Sequence, residues 1–406
     1  LSSLDDIAWL LNIRGNDIAY CPLVLSYAIV YNNSVELFAD IRKFSDDIIN
    51  LLAENQVKIY PYEDIYRKVS EMTSEDKLLL DSAIMNYSLY QAISKETVIV
   101  DKQNPEILMK SVKNEIQAEN LRKAHLKDAV AHTKFMYWLK KNIGRVEITE
   151  LSASARLEGL RAEQEHFLGP SFGPISAYGE HGAIVHYSAD EKSNVPLKEG
   201  KLFMTDTGGH YLEGSTDITR TVALGEVGNI EKEHFTLVAR AMLRLANTVF
   251  LYGCSGANLD CIAREVFWKE GLNFNHGTGH GVGYLLNIHE GPINFRWKEG
   301  ERPAPALEEN MVITDEPGIY IEGSHGIRLE NELLVRKTVK NEYGQFMNFE
   351  ILTYVPIDLD AILPEKMSTE EKEMLNHYHK QVYEKVSPYL SEEERIWLKE
   401  YTRAVK

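Results

Sequence analysis

The sequence contains few cysteines, no long apolar run and no excess of basic residues. Its three cysteines, Cys21, Cys254 and Cys261, are odd in number and form no Cys-x-x-Cys pair. This usage argues against a disulfide framework and predicts a reducing compartment, the cytoplasm. No stretch approaches the roughly 20 apolar residues that a membrane-spanning helix requires, so we expect no membrane partner.

Acidic residues outnumber basic residues by 61 to 44, which gives a net charge of −17 at pH 7. Nucleic acids and anionic membranes bind basic surfaces, so this charge argues against both as partners. The hydrophobic fraction of 44% and the charged fraction of 26% are typical of a globular protein. Because 406 residues exceed one ordinary core, we expect two domains, with the boundary at Asn104-Pro105.

The most informative stretch covers residues 204–221 and carries two aspartates, Asp206 and Asp217. Three glycines lie between them, and glycine lets a chain reverse its direction. The stretch therefore predicts an antiparallel hairpin with its turn near residues 213–215. A hairpin brings distant residues to opposite positions on neighbouring strands, where two ionised carboxylates repel each other. A shared proton, an arginine or a cation would offset that repulsion.

Three later segments place further metal-ligand side chains next to glycine or proline. His276 and His280 belong to the run His-Gly-Thr-Gly-His-Gly-Val-Gly, where the glycines offer no side chains to pack a histidine. Glu316 lies in Asp-Glu-Pro-Gly. Arg328 and Glu330, in Gly-Ile-Arg-Leu-Glu-Asn, alternate along a predicted strand and so share a face. Each segment alone has a simpler explanation, such as a structural histidine or a surface ion pair.

Together, the four segments predict a site for two divalent cations. The candidate ligands are Asp206, Asp217, His280, Glu316 and Glu330. An oxygen-rich set with one imidazole favours Mn²⁺ or a similar ion over an all-thiolate zinc site. Divalent cations lower the pKa of a water that they bind, and the chemistry that follows is hydrolysis of an amide or an ester.

Four runs of the sequence resemble the signatures of a known family, the pita-bread metallopeptidases of family M24. They are Asp-Thr-Gly-x-x-Tyr-x5-Asp-Ile-Thr-Arg-Thr, His-Gly-Thr-Gly-His-Gly-Val-Gly, Asp-Glu-Pro-Gly-Ile-Tyr and Gly-Ile-Arg-Leu-Glu-Asn. Within this family the chain is most similar to the Xaa-Pro aminopeptidases of the long, three-domain type. Residues 4–15 resemble the middle domain of that type, and residues 356–395 resemble its helical C-terminal extension.

The resemblance implies an α+β fold, with a pita-bread (creatinase/aminopeptidase-like) catalytic domain preceded by part of a mixed α/β accessory domain. Residues 1–104 would form the partial accessory, or middle, domain. Residues 105–406 would form the catalytic domain, with a helical C-terminal extension at about residues 357–406. The similarity begins partway into the middle domain of the long type.

The resemblance also implies roles for the five candidate ligands. Asp206 would bind one metal ion, and Asp217 and Glu330 would bridge two ions. His280 and Glu316 would complete the coordination of the second ion. Mn²⁺ is the expected metal, with zinc, cobalt or iron as alternatives. Glu316 would in addition handle a proton at the nucleophile.

Three further histidines and one arginine take roles from the resemblance. His186 would line the substrate pocket near the proline. His276 and His289 would bind substrate, steady the reaction intermediate and move protons. Arg328 would hold a ligand carboxylate in place. His181, where the family usually has a small polar residue, has no assigned role.

These roles imply an aminopeptidase that removes the N-terminal residue from peptides with proline in the second position. The resemblance also implies a homodimer. Prolidase, which cleaves X-Pro dipeptides only, is the nearest alternative. A methionine aminopeptidase would need no large N-terminal accessory region. A non-catalytic binding module is a different class of protein, and the presence of all five ligands argues against it.

Overall fold

The computed structural model describes residues 1–298, 300 and 302–406. Contacts between residues divide the chain into two compact units, Leu1–Lys110 and Ser111–Lys406. The predicted roles of the two parts of the chain, accessory and catalytic, stay predictions. Among the described residues, no helix combines the length and the apolar character that crossing a membrane would require.

The described residues form eleven α-helices and nineteen strands. The helices are α1 (Leu4–Leu11), α2 (Asp46–Glu54), α3 (Asp64–Ser70), α4 (Tyr87–Ala92), α5 (Glu106–Ser111), α6 (Glu115–Asn142), α7 (Glu150–Ala162), α8 (Asn229–Ala246), α9 (Gly256–Trp268), α10 (Thr369–Val386) and α11 (Glu392–Tyr401). The strands are β1 (Ser26–Val30), β2 (Val35–Ala39), β3 (Val57–Tyr60), β4 (Lys77–Leu80), β5 (Val98–Asp101), β6 (Phe167–Pro170), β7 (Ile175–Tyr178), β8 (Lys201–Thr207), β9 (Gly209–Tyr211), β10 (Gly214–Ser215), β11 (Ile218–Leu224), β12 (Phe250–Leu251), β13 (Gly279–Gly281), β14 (Glu290–Phe295), β15 (Val312–Asp315), β16 (Gly318–Ile321), β17 (His325–Arg328), β18 (Asn331–Asn341) and β19 (Gly344–Ile351).

The first unit combines short helices with two small sheets. β1 pairs with β2 in antiparallel orientation, β3 pairs with β2 in parallel orientation, and β4 pairs with β5 in parallel orientation. Tyr27 of β1 and Phe38 of β2 are buried in one apolar cluster with Ile65 and Val69 of α3. Because α3 covers this face of the sheet, the unit has the mixed α/β character that the sequence predicts.

The spacing of apolar residues predicts one long helix over roughly residues 106–143. That prediction is wrong, because the chain forms α5 and α6 with a break between them. Asn114 causes the break. Its side chain accepts a hydrogen bond from the Gln117 N–H at 2.9 Å, and the Gln117 side chain accepts one from the Asn114 N–H at 3.0 Å. Such a capping box needs an extended backbone at the cap residue, and Asn114 has ψ 170°. The sequence also predicts helix starts at Thr149, Ser368 and Ser391, and the side chain of each accepts the N-cap hydrogen bond.

The second unit is organised on a six-stranded sheet with the strand order β12-β19-β18-β15-β13-β14. A separate sheet with the order β11-β8-β7 contains the predicted hairpin. In this hairpin Asp206 of β8 lies opposite Thr219 of β11, and farther along Tyr211 of β9 lies opposite Gly214 of β10. The hairpin is therefore confirmed, with its turn at residues 212–213, slightly earlier than predicted.

The sequence pattern predicts single strands over residues 327–335 and 183–187, and the structure differs at both places. The strand expected over residues 327–335 is divided into β17 and β18, because the Glu330 N–H leaves the strand and donates to the Thr219 carbonyl at 3.1 Å. The strand expected over residues 183–187 is instead the end of a 3₁₀ helix followed by a turn. There the rings of His181 and Tyr187 stack on each other, which a flat strand would not permit.

A buried arginine ties the hairpin to the C-terminal part of the second unit. Arg220 of β11 is fully buried, and its guanidinium donates to the carbonyls of Glu330 at 2.5 Å and Val355 at 2.9 Å. It also contacts the Tyr378 hydroxyl of α10 at 2.7 Å. A buried guanidinium is stable only when its donors are satisfied, so these contacts fix the hairpin against α10.

We expect Gly326→Ala to destabilise the protein. A Cβ at Gly326 would lie 1.6 Å from the backbone oxygen of Gly182, so β17 or the 3₁₀ helix that carries Gly182 must move. Overpacking of this kind costs about 1–3 kcal/mol. Chemical denaturation measures the free energy of unfolding.

The control for this prediction is Gly159→Ala in α7. A Cβ at Gly159 meets nothing within 4 Å, and alanine is the better helix former, so stability should stay the same or rise. Equal free energies of unfolding for the two variants would contradict the close approach of Gly326 to Gly182.

Candidate metal centre

The five predicted ligands come from separate segments and meet in one place. Asp206 lies on β8, Asp217 directly precedes β11, and His280 lies on β13. Glu316 and Glu330 lie just beyond the ends of β15 and β17. Donor atoms of Asp206, Asp217 and Glu330 lie within 4.8 Å of one another, and so do those of His280, Glu316 and Glu330. Glu330 therefore belongs to both groups, as a carboxylate that bridges two cations would.

The spacing and the free oxygens of this cluster suit divalent cations. Ligands that bind one ion at about 2.1 Å lie within about 4.2 Å of one another, close to the observed spacing. One Asp206 oxygen, Oδ1, is buried and has no hydrogen-bond partner among the described residues. A buried oxygen without a donor is costly unless a cation binds it. The residues present thus fit a metal site.

The pKa shifts of the carboxyl groups in the cluster also indicate a cation site. Burial raises the pKa of Asp217 well above its ordinary value, and the neighbouring Asp206 and Glu316 raise it further. Burial likewise raises the pKa of Glu330, with Asp217 as the next cause. Four carboxyl groups crowded together cannot all ionise without added positive charge. Bound cations would reverse these shifts, because they stabilise the ionised form.

His280 is oriented by a backbone carbonyl. Its Nδ1 lies 2.9 Å from the carbonyl oxygen of Gly281 and therefore carries the proton. Its Nε2 lies 3.6 Å from Oδ2 of Asp217 and 3.6 Å from Oε1 of Glu316. The lone pair of Nε2 thus faces the carboxylates, which is the arrangement a metal-binding imidazole needs.

Arg328 links the carboxylates to His276. The Arg328 guanidinium donates to Oδ2 of Asp206 at 2.5 Å and to the Tyr320 hydroxyl at 2.8 Å. The Tyr320 oxygen lies 2.8 Å from Nε2 of His276. Burial raises the pKa of Tyr320 to about 12, so the phenol stays protonated and donates a hydrogen bond to Nε2 of His276. Tyr320 ends the Asp-Glu-Pro-Gly-Ile-Tyr run, but no role was predicted for it from the sequence.

Two of the three predicted catalytic histidines, His276 and His289, lie beside the cluster. The pKa of His276 is lowered to about 4, mainly by burial. His186 is exposed, in the turn that follows the 3₁₀ helix. The His289 ring lies 4.1 Å from the His280 ring and is partly exposed to solvent. A donor atom of His289 also lies within 4.8 Å of those of Asp217 and His280. This position suits a metal ligand as well as a proton carrier.

His181 does not belong to the cluster and instead contacts Glu150 and Tyr187. Its Nδ1 lies 2.8 Å from Oε1 of the buried Glu150, and its ring stacks on Tyr187 at 4.5 Å. The Tyr187 hydroxyl donates to the other Glu150 oxygen at 2.9 Å. These contacts fix the turn that carries His186.

Glu332 was not predicted from the sequence, although its side chain binds the backbone of Asp217. Its Oε1 accepts a hydrogen bond from the Asp217 N–H at 2.6 Å, and its Oε2 lies 3.1 Å from Nε2 of His125 on α6. Glu332 and His125 are both fully buried. The available signal was the spacing of Glu330 and Glu332 within the strand predicted over residues 327–335, where alternate side chains would share a face.

Comparison with known proteins identifies the class to which this fold and this cluster belong. The chain belongs to metallopeptidase family M24, whose model matches residues 119–337. A model of the creatinase/prolidase N-terminal domain matches residues 1–117, and a model of the C-terminal region of M24 peptidases matches residues 345–405. The predicted fold class, with its pita-bread catalytic domain, is thereby confirmed.

The relatives within this family confirm the resemblance to Xaa-Pro aminopeptidases. The chain is 34% identical to aminopeptidase P1 of Arabidopsis thaliana, over all of this chain and 70% of the relative. It is 34% identical to an X-prolyl aminopeptidase structure from Caenorhabditis elegans, described as a cytosolic enzyme with a di-nuclear active site. That match has a TM-score of 0.92 and covers 99% of this chain and 67% of the other. An Xaa-Pro dipeptidase structure from Bacillus anthracis matches with 25% identity and a TM-score of 0.65, over 87% of this chain and 92% of the other.

We expect Glu332→Leu to weaken metal binding. The substitution leaves the buried Asp217 N–H without an acceptor, and loss of such support typically lowers metal affinity by about 10- to 100-fold. Titration calorimetry with Mn²⁺ on chelator-treated protein measures the dissociation constant.

Glu332→Gln is the matched control for that experiment, because its amide oxygen can still accept the hydrogen bond. It should bind Mn²⁺ more tightly than Glu332→Leu. If Glu332→Leu bound Mn²⁺ as tightly as the unmodified protein, the supporting role of Glu332 would be refuted.

Proposed function

We propose that this protein is a dinuclear metal-dependent aminopeptidase that hydrolyses the X–Pro bond at the N-terminus of peptides and releases the first residue. The observation that carries the proposal is the pair of three-ligand groups that share Glu330. The similarity to the Xaa-Pro aminopeptidases supports the same activity.

The metal ions would be held by the five side chains of the cluster, Asp206, Asp217, His280, Glu316 and Glu330. When bound, two divalent ions supply Lewis acidity and lower the pKa of water. Four carboxylates and one imidazole favour Mn²⁺, with zinc, cobalt or iron as alternatives. We propose that Arg328 orients Asp206, because its guanidinium donates to that carboxylate at 2.5 Å.

The histidines would act on the substrate. His289 has a solvent-exposed face next to the cluster, so it can exchange protons with bulk water and donate a hydrogen bond to the developing oxyanion. His276, neutral because of its lowered pKa and held by Tyr320, would position the substrate. Glu316, whose Oε1 faces His280, would handle a proton at the nucleophile.

Selectivity for proline follows from the chemistry of the bond. The nitrogen of an X–Pro bond carries no hydrogen, so the site needs no acceptor for an amide N–H there. We propose that the imidazoles of His186, His276 and His289 surround the proline ring. The substrate's free α-amine is cationic, and the excess of carboxylates in the cluster would attract it.

We expect the Mn²⁺-loaded protein to cleave a tripeptide X-Pro-x after its first residue and to leave the matched X-Ala-x peptide uncleaved. A chelator should abolish cleavage, and added Mn²⁺ should restore it. Mass spectrometry of the products checks the position of cleavage. Cleavage of X-Ala-x at the same rate, or cleavage that persists in chelator, would contradict the proposal.

A prolidase is the second candidate, favoured by the similarity to the Xaa-Pro dipeptidase of Bacillus anthracis. The same assay separates the two activities, because a prolidase would cleave the dipeptide X-Pro and leave X-Pro-x intact. A non-catalytic binding module would cleave neither peptide, and the complete set of ligands argues against it.

We expect Asp217→Ala to lose metal together with nearly all activity. His289→Ala should keep its metal while turnover falls by about 10²-fold or more, as for loss of an oxyanion or proton-transfer group. Elemental analysis of the dialysed variants gives the metal content, and peptide cleavage gives the turnover. Donor atoms of His289, Asp217 and His280 lie within 4.8 Å of one another, so one metal ion could contact all three. Loss of metal from His289→Ala would therefore identify His289 as a metal ligand and contradict its assignment as a proton carrier.

We propose a cytoplasmic location and a homodimer for this protein. The relative from Caenorhabditis elegans is described as cytosolic, and all three cysteines of this chain are free thiols. The dimer rests on the resemblance to family members that associate through the catalytic domain.

A further inference from the structure

A small pocket opens beside His276, on a side of this residue that the five ligands do not line. Its volume is about 220 Å³, and its walls include Phe274, His276, Gly277, Arg296, Trp297 and Lys298. No acidic side chain lines it among the described residues, in a protein whose net charge is −17. A cationic pocket on an acidic protein is a local feature that selects anions.

Arg296 is the side chain that is available to a ligand. It crosses Gly277 so closely that a Cβ at that position would lie 3.0 Å from its Cγ and Nε. It is exposed, and in the described part of the chain no carboxylate pairs with it. The second arginine of the pocket, Arg264, is buried and already donates to Asp260 and to the carbonyls of Phe274 and His276.

The pocket is contiguous with the proposed catalytic histidines. His276 forms part of its wall and is bonded to Tyr320 at the edge of the metal cluster. Arg296 lies across Gly277, the residue that follows His276, so its guanidinium belongs to the same wall of the pocket as this histidine.

Two aromatic groups and a second cation complete the binding surface. The Trp297 ring meets the Trp268 ring edge to face at 5.6 Å, and the Lys298 ammonium lies 4.7 Å from the Trp297 ring centre. The edge contact holds the Trp297 ring as a firm apolar wall beside the cations. A guanidinium on such a wall is suited to a carboxylate, which it can bind through two parallel hydrogen bonds.

We propose that this pocket binds a carboxylate of the substrate peptide on the C-terminal side of the proline, with Arg296 as the anchor and Lys298 as a second positive charge. The proposal rests on the proposed peptidase function. In the proposed function a peptide whose amine lies at the metal cluster extends past His276, and the pocket lies beside this histidine. The carboxylate is either the C-terminus of a short peptide or an acidic side chain after the proline.

Three tripeptides of equal length test this proposal: X-Pro-Ala acid, X-Pro-Ala amide and X-Pro-Asp amide. We expect kcat/KM for at least one carboxylate peptide to exceed that of the neutral amide by roughly three- to tenfold at low salt, mainly through KM. In Arg296→Gln this ratio should fall toward one, and Arg296→Lys should restore part of it. The peptide that shows the preference identifies the source of the carboxylate.

The matched control is Arg395→Gln, an exposed arginine on α11 outside the pocket, which should keep the ratio of the unmodified protein. Calorimetric binding of the product Pro-Ala, as acid and as amide, gives a readout that does not depend on turnover. Equal kcat/KM values for the three peptides, or a preference that survives in Arg296→Gln, would overturn the assignment of the pocket. If none of the three peptides were cleaved, the proposed function itself would fail.

Discussion

Mutual repulsion among carboxylates is the constraint on which this structure depends. Asp206, Asp217, Glu316 and Glu330 are collected in a largely buried space, and the Arg328 guanidinium contacts one of them, Asp206. Removing charges from water costs several kcal/mol for each ion unless a partner compensates. A fold that gathers four acids against one arginine is therefore stable in its ionised form only with further positive charge. The proposed metal pair supplies that charge, and the hydrolytic chemistry follows from it.

Holding the acids at this separation requires a rigid frame behind them. Arg220 binds the backbone at Glu330, Glu332 binds the backbone at Asp217, and the close approach of Gly326 to Gly182 leaves no room for β17 to shift. Each contact fixes a segment of the main chain, so the candidate ligand side chains start from defined backbone positions. Preorganisation of this kind keeps the carboxylates close together despite their mutual repulsion.

Chemistry and selectivity are divided between different parts of the site. The carboxylates and His280 form the proposed metal centre, and His276 and His289 lie beside it. In the proposed function these two histidines act on the substrate together with His186. The pocket at Arg296 adds positive charge beside His276. A cationic amine at the acidic cluster and an anionic group at the cationic pocket would orient a short peptide in one direction only, because reversing it would place like charges together.

The sequence by itself determined the ligand types, the hairpin and most helices and strands, because glycine placement, alternation and N-cap residues act within a few positions along the chain. It located Asp206, Asp217, His280, Glu316 and Glu330 through such local patterns and through motif resemblance. Only the tertiary structure decided the contacts of Glu332 with Asp217, of Tyr320 with His276 and of Arg296 with the space over Gly277. Local periodicity overlooked the capping box of Asn114 with Gln117, although that box is itself a local signal. Only the tertiary structure, in contrast, ended the strand at Glu330, whose N–H donates to the Thr219 carbonyl of the hairpin. The partners in these tertiary contacts lie far apart along the chain or belong to different elements, and their meeting depends on how whole elements pack.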